Sequence, residues 1–323
     1  MTVDARLPGV PRIRAAGRRI APHIDATPLV FCRELSERAG REIWLKLENR
    51  QRTGSFKLRG ALNAVLPFGH APVPPVVAAA SAGNHAAALA RAARVAGRRA
   101  VLFVPASAPT TKVRRFREEG AEVRAVEGTY DDADAAAKRW ASGRDDVELV
   151  HAFDDARVVE GQATLGLEIL RQHAGIRSVV APVGGGGLLA GLLAACTPSG
   201  VVVLGAQGDR TRAVYDALRT GVAGDAEVVH TLMDGLAGRT TQAAVDRLRA
   251  ARARVELVAE EEVGEAVRAL HGVGQRAEGS GAVALAALLA SVYAPPEPVA
   301  AIVSGGNIDD DTLAGVLGGA GAA

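Results

Sequence analysis

The sequence predicts an α/β protein that contains two domains, each built on a mostly parallel sheet. Short apolar runs alternate with helical patterns along nearly the whole chain. Continuous apolar strands between helices are typical of parallel sheets that are covered on both faces. The length of 323 residues is also sufficient for about two hydrophobic cores.

The predicted strands and helices follow one another in regular order. The segment EIWLKLE alternates Ile43, Leu45 and Leu47 with larger or charged residues, as a strand does. The later predicted strands are PVVAAA, RAVLFVP, AEVRAVE, VELVHAF, SVVAPV, VVVLGAQ, RVELVA and PVAAIV. Helices are predicted at residues 85–97, 112–119, 132–142 and 188–196.

A composition shift predicts the domain boundaries. The stretch at residues 131–148 is polar and ends one cluster of strands and helices, and a second cluster begins near His151. We therefore expect a small domain at residues 70–150 and a large domain formed by residues 1–69 and 151–323.

Composition excludes several classes of protein. With 38 Lys plus Arg against 36 Asp plus Glu, the charge is too balanced to indicate a nucleic-acid-binding surface. Cys32 and Cys196 are too few and too far apart for a disulfide framework or a cysteine-rich zinc site. No histidine pair has metal-ligand spacing, so no metal is expected. No apolar run reaches about 18 residues and the first residues lack a signal-type core, which predicts a cytoplasmic protein without a membrane span.

Lys57 stands between Phe56 and Leu58 in NRQRTGSFKLRGAL, where a helix is predicted to start. A lone lysine on a helix is usually solvated along its stem. A desolvated lysine has instead a lowered pKa and forms a Schiff base with a carbonyl group. The surrounding loops decide between the two interpretations.

The loop SAGNH, at residues 81–85, follows a predicted buried strand. In open α/β sheets, ligands bind where strands end and helices begin. The Ser81 hydroxyl, the Asn84 amide and the backbone N–H groups at the helix start can form an anion pocket. An ordinary helix cap by Ser81 or Asn84 is the alternative.

Four consecutive glycines, residues 184–187, separate SVVAPV from the helix LLAGLLAAC. Without β-carbons the backbone can approach an oxyanion, and the helix dipole favours a phosphate there. The alternative of a flexible turn is disfavoured by the entropy that four glycines lose. The pattern GxGxxA at Gly185, Gly187 and Ala190 also suggests a dinucleotide-binding oxidoreductase, although Gln207 stands where an acidic ribose partner is expected.

The loop SGGN, at residues 304–307, follows the last predicted strand. Ser304 ends that strand and offers a neutral hydroxyl to the cleft, and a simple turn is the alternative. A third interpretation of the chain is a ligand-binding module without catalysis, against which the placement of Lys57 argues.

Taken together these motifs resemble a known family. TPLV at Thr27, TGSFKLRGA, SAGNHAAALA, FDDARVVEGQATLGLEIL, GGGGLLAG, EGSGAVALAAL and SGGNID occur in the order of the serine/threonine dehydratases (threonine ammonia-lyases) and their serine racemase relatives. The resemblance implies the fold-type-II architecture, similar to tryptophan synthase β, with pyridoxal 5'-phosphate in the cleft between the two domains.

The resemblance also implies roles for individual residues. Lys57 would carry the cofactor as a Schiff base, with Phe56 on one face of the ring and Ser304 facing the pyridine nitrogen. Asn84 would meet the ring hydroxyl. The cofactor phosphate would be held by Gly184, Gly185, Gly186, Gly187 and Leu188. The substrate carboxylate would be surrounded by Ser81, Ala82, Gly83, Asn84 and His85.

The implied reaction is β-elimination from a β-hydroxy amino acid, which releases a 2-oxo acid and ammonia, with Lys57 removing the α-proton. A serine beside the ring nitrogen makes a milder electron sink than a carboxylate does, which suits prompt loss of a β-substituent. L-Threonine, L-serine, 3-hydroxyaspartate, a phenylserine-like substrate and a hydroxyectoine-pathway substrate all remain open, and a homodimer is implied.

Three departures from the family pattern narrow these expectations. Ala82 stands where serine racemases carry a serine, so racemisation is not expected to dominate. Gln207 replaces an acidic residue that helps bind a cation in some relatives. About 15 residues follow Asn307, fewer than the roughly 50 that an independent regulatory domain needs.

Arg239 in GLAGRT is a candidate contact for the substrate side chain, with a surface arginine as the alternative.

Overall fold

The computed structural model describes residues 7–68, 72–224 and 230–319. Its strands are β1 (Leu29–Phe31), β2 (Ile43–Leu47), β3 (Val76–Ala80), β4 (Arg99–Pro105), β5 (Glu122–Val126), β6 (Val147–Leu149), β7 (Ser178–Pro182), β8 (Val202–Gly208), β9 (Val255–Val258) and β10 (Val299–Val303). Its helices are α1 (Val10–Ile20), α2 (Arg33–Ala39), α3 (Lys57–Val65), α4 (Asn84–Val95), α5 (Thr110–Glu118), α6 (Tyr130–Ala141), α7 (Ala156–Gln172), α8 (Gly187–Cys196), α9 (Ala213–Thr220), α10 (Gln242–Ala250), α11 (Glu260–Gly272), α12 (Gly279–Leu289) and α13 (Asp310–Leu317).

The strands form two sheets, as expected for two α/β units. One sheet has six strands in the order β1-β2-β10-β7-β8-β9, and all its neighbours are parallel except the β1–β2 pair. The other sheet has four parallel strands in the order β5-β4-β3-β6. The last long strand, β10, lies between β2 and β7, so segments from both ends of the chain meet at the centre of the larger sheet.

Two apolar helices cover opposite faces of the six-stranded sheet. Val180 of β7 packs in one core cluster with α12, whereas its neighbours Val179 and Ala181 pack in another cluster with α8. Successive side chains of a strand point to opposite faces, so one continuous apolar strand feeds both cores. A single residue separates the carboxyl end of β7 from the glycine run that leads into α8.

The helix that begins at Lys57 packs partly with the four-stranded sheet. Leu58 and Leu62 of α3 share a buried cluster with Val77 and Ala79 of β3. The domain division at residues 69/70 and 150/151 stays a prediction, and residues 69–71 lie outside the described part of the chain.

The structure differs from the sequence prediction at VELVHAF. The strand β6 ends at Leu149, because the ring nitrogen Nδ1 of His151 accepts hydrogen bonds from the backbone N–H groups of Phe153 and Asp154 at 3.4 and 3.1 Å. This side-chain bond turns the backbone away from the sheet.

The short antiparallel strand β1 was not predicted, because three residues are too few to show periodicity.

In the part of the chain that the structure describes, no helix is both long and apolar enough to cross a bilayer.

Cys32 and Cys196 are both free thiols. Burial raises the pKa of the Cys196 thiol to about 12, so it packs as a small apolar side chain.

Candidate active site

The loop after β10 is tied by its backbone to the segment that precedes Lys57. The N–H of Phe56 donates to the carbonyl oxygen of Ser304 at 3.0 Å, and the N–H of Gly306 donates to the carbonyl oxygen of Gly54 at 2.9 Å. An isolated antiparallel bridge between Ser55 and Gly305 lies between these two bonds. These contacts bring together two of the sequence motifs that predicted a site.

Lys57 is the first residue of α3, and its side chain is half-buried. Its Nζ atom donates to the carbonyl oxygen of Ala152 at 3.2 Å and lies 5.3 Å from the centroid of the Phe56 ring. Burial lowers the pKa of Lys57 to about 8, and the carboxylate of Glu278 partly opposes this shift. More of the amine is therefore unprotonated near neutral pH than for an ordinary lysine, as a nucleophile or base requires.

The four-glycine loop exposes a group of backbone N–H donors at the start of α8. Gly186 has φ +94°, a left-handed conformation that favours glycine, and it directly precedes α8. In the described part of the chain, the backbone N–H groups of residues 184–189 donate to no acceptor. Unpaired N–H groups at the positive end of a helix dipole fit a phosphate group.

The ring of Phe153 packs closely over this loop. A β-carbon on Gly185 would overlap the Phe153 ring, and one on Gly187 would lie 2.9 Å from its Cα atom. The same ring meets the ring of His151 edge-on, with centroids 4.5 Å apart. Packing against Phe153 therefore requires glycine at both positions. Phe153 was not assigned a role from sequence, and FDD at the start of its motif was the available signal.

The loop at residues 81–85 caps the start of α4. The hydroxyl oxygen of Ser81 accepts from the N–H groups of Gly83 and Ala86 at 3.2 and 3.3 Å, so Ser81 has the local capping role that was the alternative. Gly83 is itself the N-cap residue, and it has open space where a side chain would be. Ala82 is half-buried against the core of the four-stranded sheet.

His85 is buried and neutral. Its Nε2 lies 3.0 Å from the carbonyl oxygen of Val150, which requires a proton on Nε2 and leaves a lone pair on Nδ1. That Nδ1 atom has no hydrogen-bond partner in the described residues. Burial, and after it repulsion from Lys57, lowers the pKa of His85 to about 3. The ring thus presents an acceptor, and only its backbone N–H can donate to a carboxylate.

Asn84 joins two residues that sequence analysis did not assign. Its Nδ2 donates to Oε1 of Glu278 at 2.6 Å, and its Oδ1 accepts from Nδ2 of Asn307 at 2.7 Å. Glu278 is buried, and burial together with Asp234 raises its pKa to about 7. The lone carboxyl in AEGSGAVALAALL, directly before an apolar helix, was the signal that could have drawn attention to Glu278.

Ser304 lies at the end of β10 and is buried. Its hydroxyl donates to the carbonyl oxygen of Ser280 at 3.4 Å, a long bond that leaves the oxygen lone pairs and an alternative rotamer for a ligand.

Two ion pairs cross from helices on the four-stranded sheet to the segment that follows β8. Arg239 pairs with Asp131 of α6 at 2.6 Å, and Lys112 of α5 pairs with Asp234 at 3.3 Å. Arg239, the candidate contact for the substrate side chain, is thus about half exposed and is held in an ion pair.

Gln207 is buried near the end of β8. Its Oε1 accepts from the N–H of Tyr215 at 2.9 Å, so its amide is turned onto α9. Among the described residues there is also no group of three or more His, Cys, Asp or Glu side chains that could hold a metal ion.

Comparison with known proteins identifies the family of the chain. A family model described as "Pyridoxal-phosphate dependent enzyme" matches residues 20–305. The chain belongs to this family. It therefore uses pyridoxal phosphate as its cofactor, and the family match overrides the alternatives of a dinucleotide-binding oxidoreductase and a non-catalytic binding module.

Individual relatives share most of this pyridoxal-phosphate enzyme's length. An L-threonine ammonia-lyase of Thermotoga maritima is 38% identical over 301 residues, which cover 92% of this chain and 75% of the relative. A serine racemase of Arabidopsis thaliana is 32% identical over 313 residues and 93% of both chains. The crystal structure of a threonine deaminase from T.th. matches with a TM-score of 0.86 and 36% identity, covering 94% of this chain and 99% of that one.

The residues present fit this cofactor. The free N–H groups of residues 184–189 supply donors for a phosphate, and Lys57 supplies an amine with a lowered pKa. The fold-type-II architecture expected from sequence is confirmed by the family match and by the two α/β sheets.

Proposed function

We propose that this enzyme catalyses β-elimination from a β-hydroxy amino acid, L-threonine or L-serine, to yield a 2-oxo acid and ammonia. The single observation that carries the proposal is the backbone hydrogen bond from Phe56 to Ser304, which ties the segment that carries the reactive lysine to the residue that bears a neutral hydroxyl. The threonine ammonia-lyase and threonine deaminase relatives support the same reaction.

Several residues are proposed to hold the cofactor. The N–H groups of Gly184, Gly185, Gly186, Gly187 and Leu188 would bind the phosphate, with α8 contributing its positive end. Phe56 would pack on the ring, Asn84 would face the ring hydroxyl and Ser304 the ring nitrogen. When bound, pyridoxal phosphate supplies an electron sink next to the substrate's amino group.

The protein's own residues would then direct the chemistry. The Lys57 amine, held by the carbonyl oxygen of Ala152, would accept the α-proton, and burial keeps it partly unprotonated at neutral pH. Ser304 is neutral, so it would not enforce a proton on the ring nitrogen, which favours loss of the β-hydroxyl over transamination.

The substrate carboxylate is proposed to lie at the start of α4. N–H groups and the Ser81 hydroxyl would bind it, at the positive end of that helix. The proposed contacts are Ser81, Ala82, Gly83, Asn84 and His85. Since the His85 ring presents a lone pair, its contribution would come from the backbone N–H.

An activity panel tests the proposal. The purified protein is incubated with L-threonine, L-serine, 3-hydroxyaspartate, a phenylserine and a hydroxyectoine-derived β-hydroxy amino acid, and 2-oxo acid release is measured. Borohydride reduction followed by peptide mapping should place the cofactor on Lys57. Release of no 2-oxo acid from any of them, or a label on another lysine, would falsify the assignment.

Serine racemisation is the second candidate, favoured by the serine racemase relative. Racemisation needs a proton donor on the face of the α-carbon opposite Lys57. Ala82 has a methyl group at the position that would matter, so we propose that elimination exceeds racemisation.

We also propose a cytoplasmic homodimer. The free cysteines fit a reducing compartment. Phe31 on the edge strand β1 is 46% exposed, and a subunit contact would bury it. Light scattering on the purified protein and fractionation of the source cells test the two statements separately.

A further inference from the structure

A chain of four hydrogen-bonding groups crosses the candidate site. The carbonyl oxygen of Thr53 accepts from Nδ2 of Asn307 at 2.9 Å, and the same Nδ2 donates to Oδ1 of Asn84 at 2.7 Å. Nδ2 of Asn84 then donates to Oε1 of Glu278 at 2.6 Å. The chain thus links the segment before Lys57 to the start of α12 by way of α4.

The chemistry of its first and last groups sets the direction of every bond. A backbone carbonyl can only accept, so the atom of Asn307 that faces Thr53 must be its NH2 group. Its second N–H points at Asn84, so Asn84 must present its oxygen there. The NH2 group of Asn84 is consequently turned to Glu278, whose carboxylate can accept.

Two glycines make room for this chain. A β-carbon on Gly305 would overlap Oε1 of Glu278, and one on Gly54 would overlap Oδ1 of Asn307. Gly54 also has φ +73°, which favours glycine. The TGSF and SGGN loops are therefore shaped around the two hydrogen-bond partners of Asn84.

We propose that Glu278 and Asn307 are positioning residues that orient the Asn84 amide, so that its second N–H faces the ring hydroxyl of pyridoxal phosphate. The inference rests on the proposed role of Asn84. An inverted amide would present its carbonyl oxygen in place of that N–H, and the hydrogen bond that the N–H donates to the ring oxygen would be lost. Loss of Asn307 should therefore act on the cofactor only through Asn84.

The test measures the cofactor dissociation constant and the visible absorption maximum of reconstituted protein, without substrate. Asn307→Asp replaces the NH2 group with an acceptor and should invert Asn84. We expect about tenfold weaker binding, which corresponds to about 1.4 kcal/mol, and a shifted absorption maximum. Asn49→Asp is the matched control. A β-carbon added to Gly306 of the same loop would be 3.2 Å from the Cβ atom of Asn49, but the Asn49 amide donates to the carbonyl oxygen of Arg276 and lies outside the chain of bonds. The control should change neither quantity.

The proposal is decided by whether the effect of Asn307→Asp on cofactor binding requires Asn84. In an Asn84→Ala background, Asn307→Asp should weaken cofactor binding no further, because residues that act through one group are not additive. Equal weakening by Asn307→Asp with and without Asn84 overturns the proposal, as does an Asn84→Ala protein with unchanged affinity and spectrum. If Asn307→Asp does not fold, Asn307→Ala, which removes the same NH2 group without adding a charge, is measured in the same two backgrounds, with Asn49→Ala as its control.

The outcome is separable from that of the proposed function. Protein that binds the cofactor and shows the Asn84-dependent change, yet releases no 2-oxo acid, contradicts the proposed reaction and supports the positioning role. Protein that releases 2-oxo acid normally, while the variants act independently of Asn84, supports the proposed reaction and contradicts the positioning role.

Discussion

The backbone N–H of Phe56 donates to the carbonyl oxygen of Ser304 across the central strands of the larger sheet. The bond exists because β10 lies between β2 and β7 and ends beside the segment that leads into α3. Lys57 is the next residue after Phe56, so this bond holds the backbone at the start of α3 against the backbone of Ser304.

Gly186→Asp should abolish retention of the cofactor. Gly186 has φ +94°, and a carboxylate there would repel the phosphate. Dialysis followed by absorbance measures the bound cofactor. Gly200→Asp is the matched control, because Gly200 also has a positive φ, +76°, but open space around it. Variants at Gly186 that hold the cofactor like the parent would place the phosphate elsewhere.

Gly185→Ala should weaken cofactor binding about tenfold or more through packing alone. The added methyl group overlaps the Phe153 ring, and overpacking costs about 1–3 kcal/mol. Gly185→Ala combined with Phe153→Ala should recover part of the loss, as measured by cofactor titration. If the double variant binds more weakly than the single one, the ring is not what excludes a side chain at Gly185.

Ser304→Ala should lower kcat about fivefold and leave the cofactor bound. In the proposed role of Ser304, the change removes one hydrogen bond to the ring nitrogen, worth on the order of 1 kcal/mol, and no anchor of the phosphate. Steady-state kinetics and the visible spectrum measure both effects. Ser178→Ala, which removes a buried hydroxyl bonded to the carbonyl of Pro296 at the far end of β7, should leave kcat unchanged. Unchanged turnover in Ser304→Ala would remove Ser304 from the site.

The reactivity of Lys57 in the apoenzyme should follow its lowered pKa. Burial lowers this pKa to about 8, so acetylation should rise as pH passes through about 8 and level off above it. A lysine in an unstructured peptide, with a pKa near 10.4, is the reference. Mass spectrometry of the Lys57 peptide measures the titration.

The Glu278 carboxylate raises the pKa of Lys57. Glu278→Gln should therefore move the acetylation midpoint further down. A midpoint that stays at its parental value, or moves up, would mean that the charge of Glu278 does not reach the amine.

Ala82→Ser should introduce racemisation alongside elimination. A hydroxyl at this position can return a proton to the face of the α-carbon opposite Lys57, which the methyl group of Ala82 cannot. The parent and the variant are incubated with an L-substrate in deuterated water, and chiral chromatography follows the D-enantiomer and the 2-oxo acid. D-product from the parent at a rate that rivals 2-oxo acid release would contradict the lyase assignment. No gain of D-product in the variant would place Ala82 away from that face.

The sequence by itself determined the fold class and the chemistry-bearing loops. Continuous apolar runs predict buried parallel strands. The lysine between Phe56 and Leu58 and the four glycines before a helix are visible in short stretches of sequence, and they predicted where the site lies. The family motifs then supported the cofactor and the reaction. The positions of β2–β5 and β7–β10 also follow from local patterns, whereas the strand predicted at VELVHAF was too long because a His151 side-chain bond ends β6 early.

Only the tertiary structure decided which side chains meet. Asn84 and Glu278 are 194 positions apart, and Asn84 and Asn307 are 223 apart, so no local pattern could reveal their hydrogen bonds. These contacts depend on strand order, since β10 between β2 and β7 brings the SGGN loop beside the Lys57 segment. The burial of Lys57 and Glu278 also depends on the tertiary structure. The pKa of a lysine falls to about 8, and that of a carboxyl rises to about 7, only when the packed chain removes water from Lys57 and Glu278.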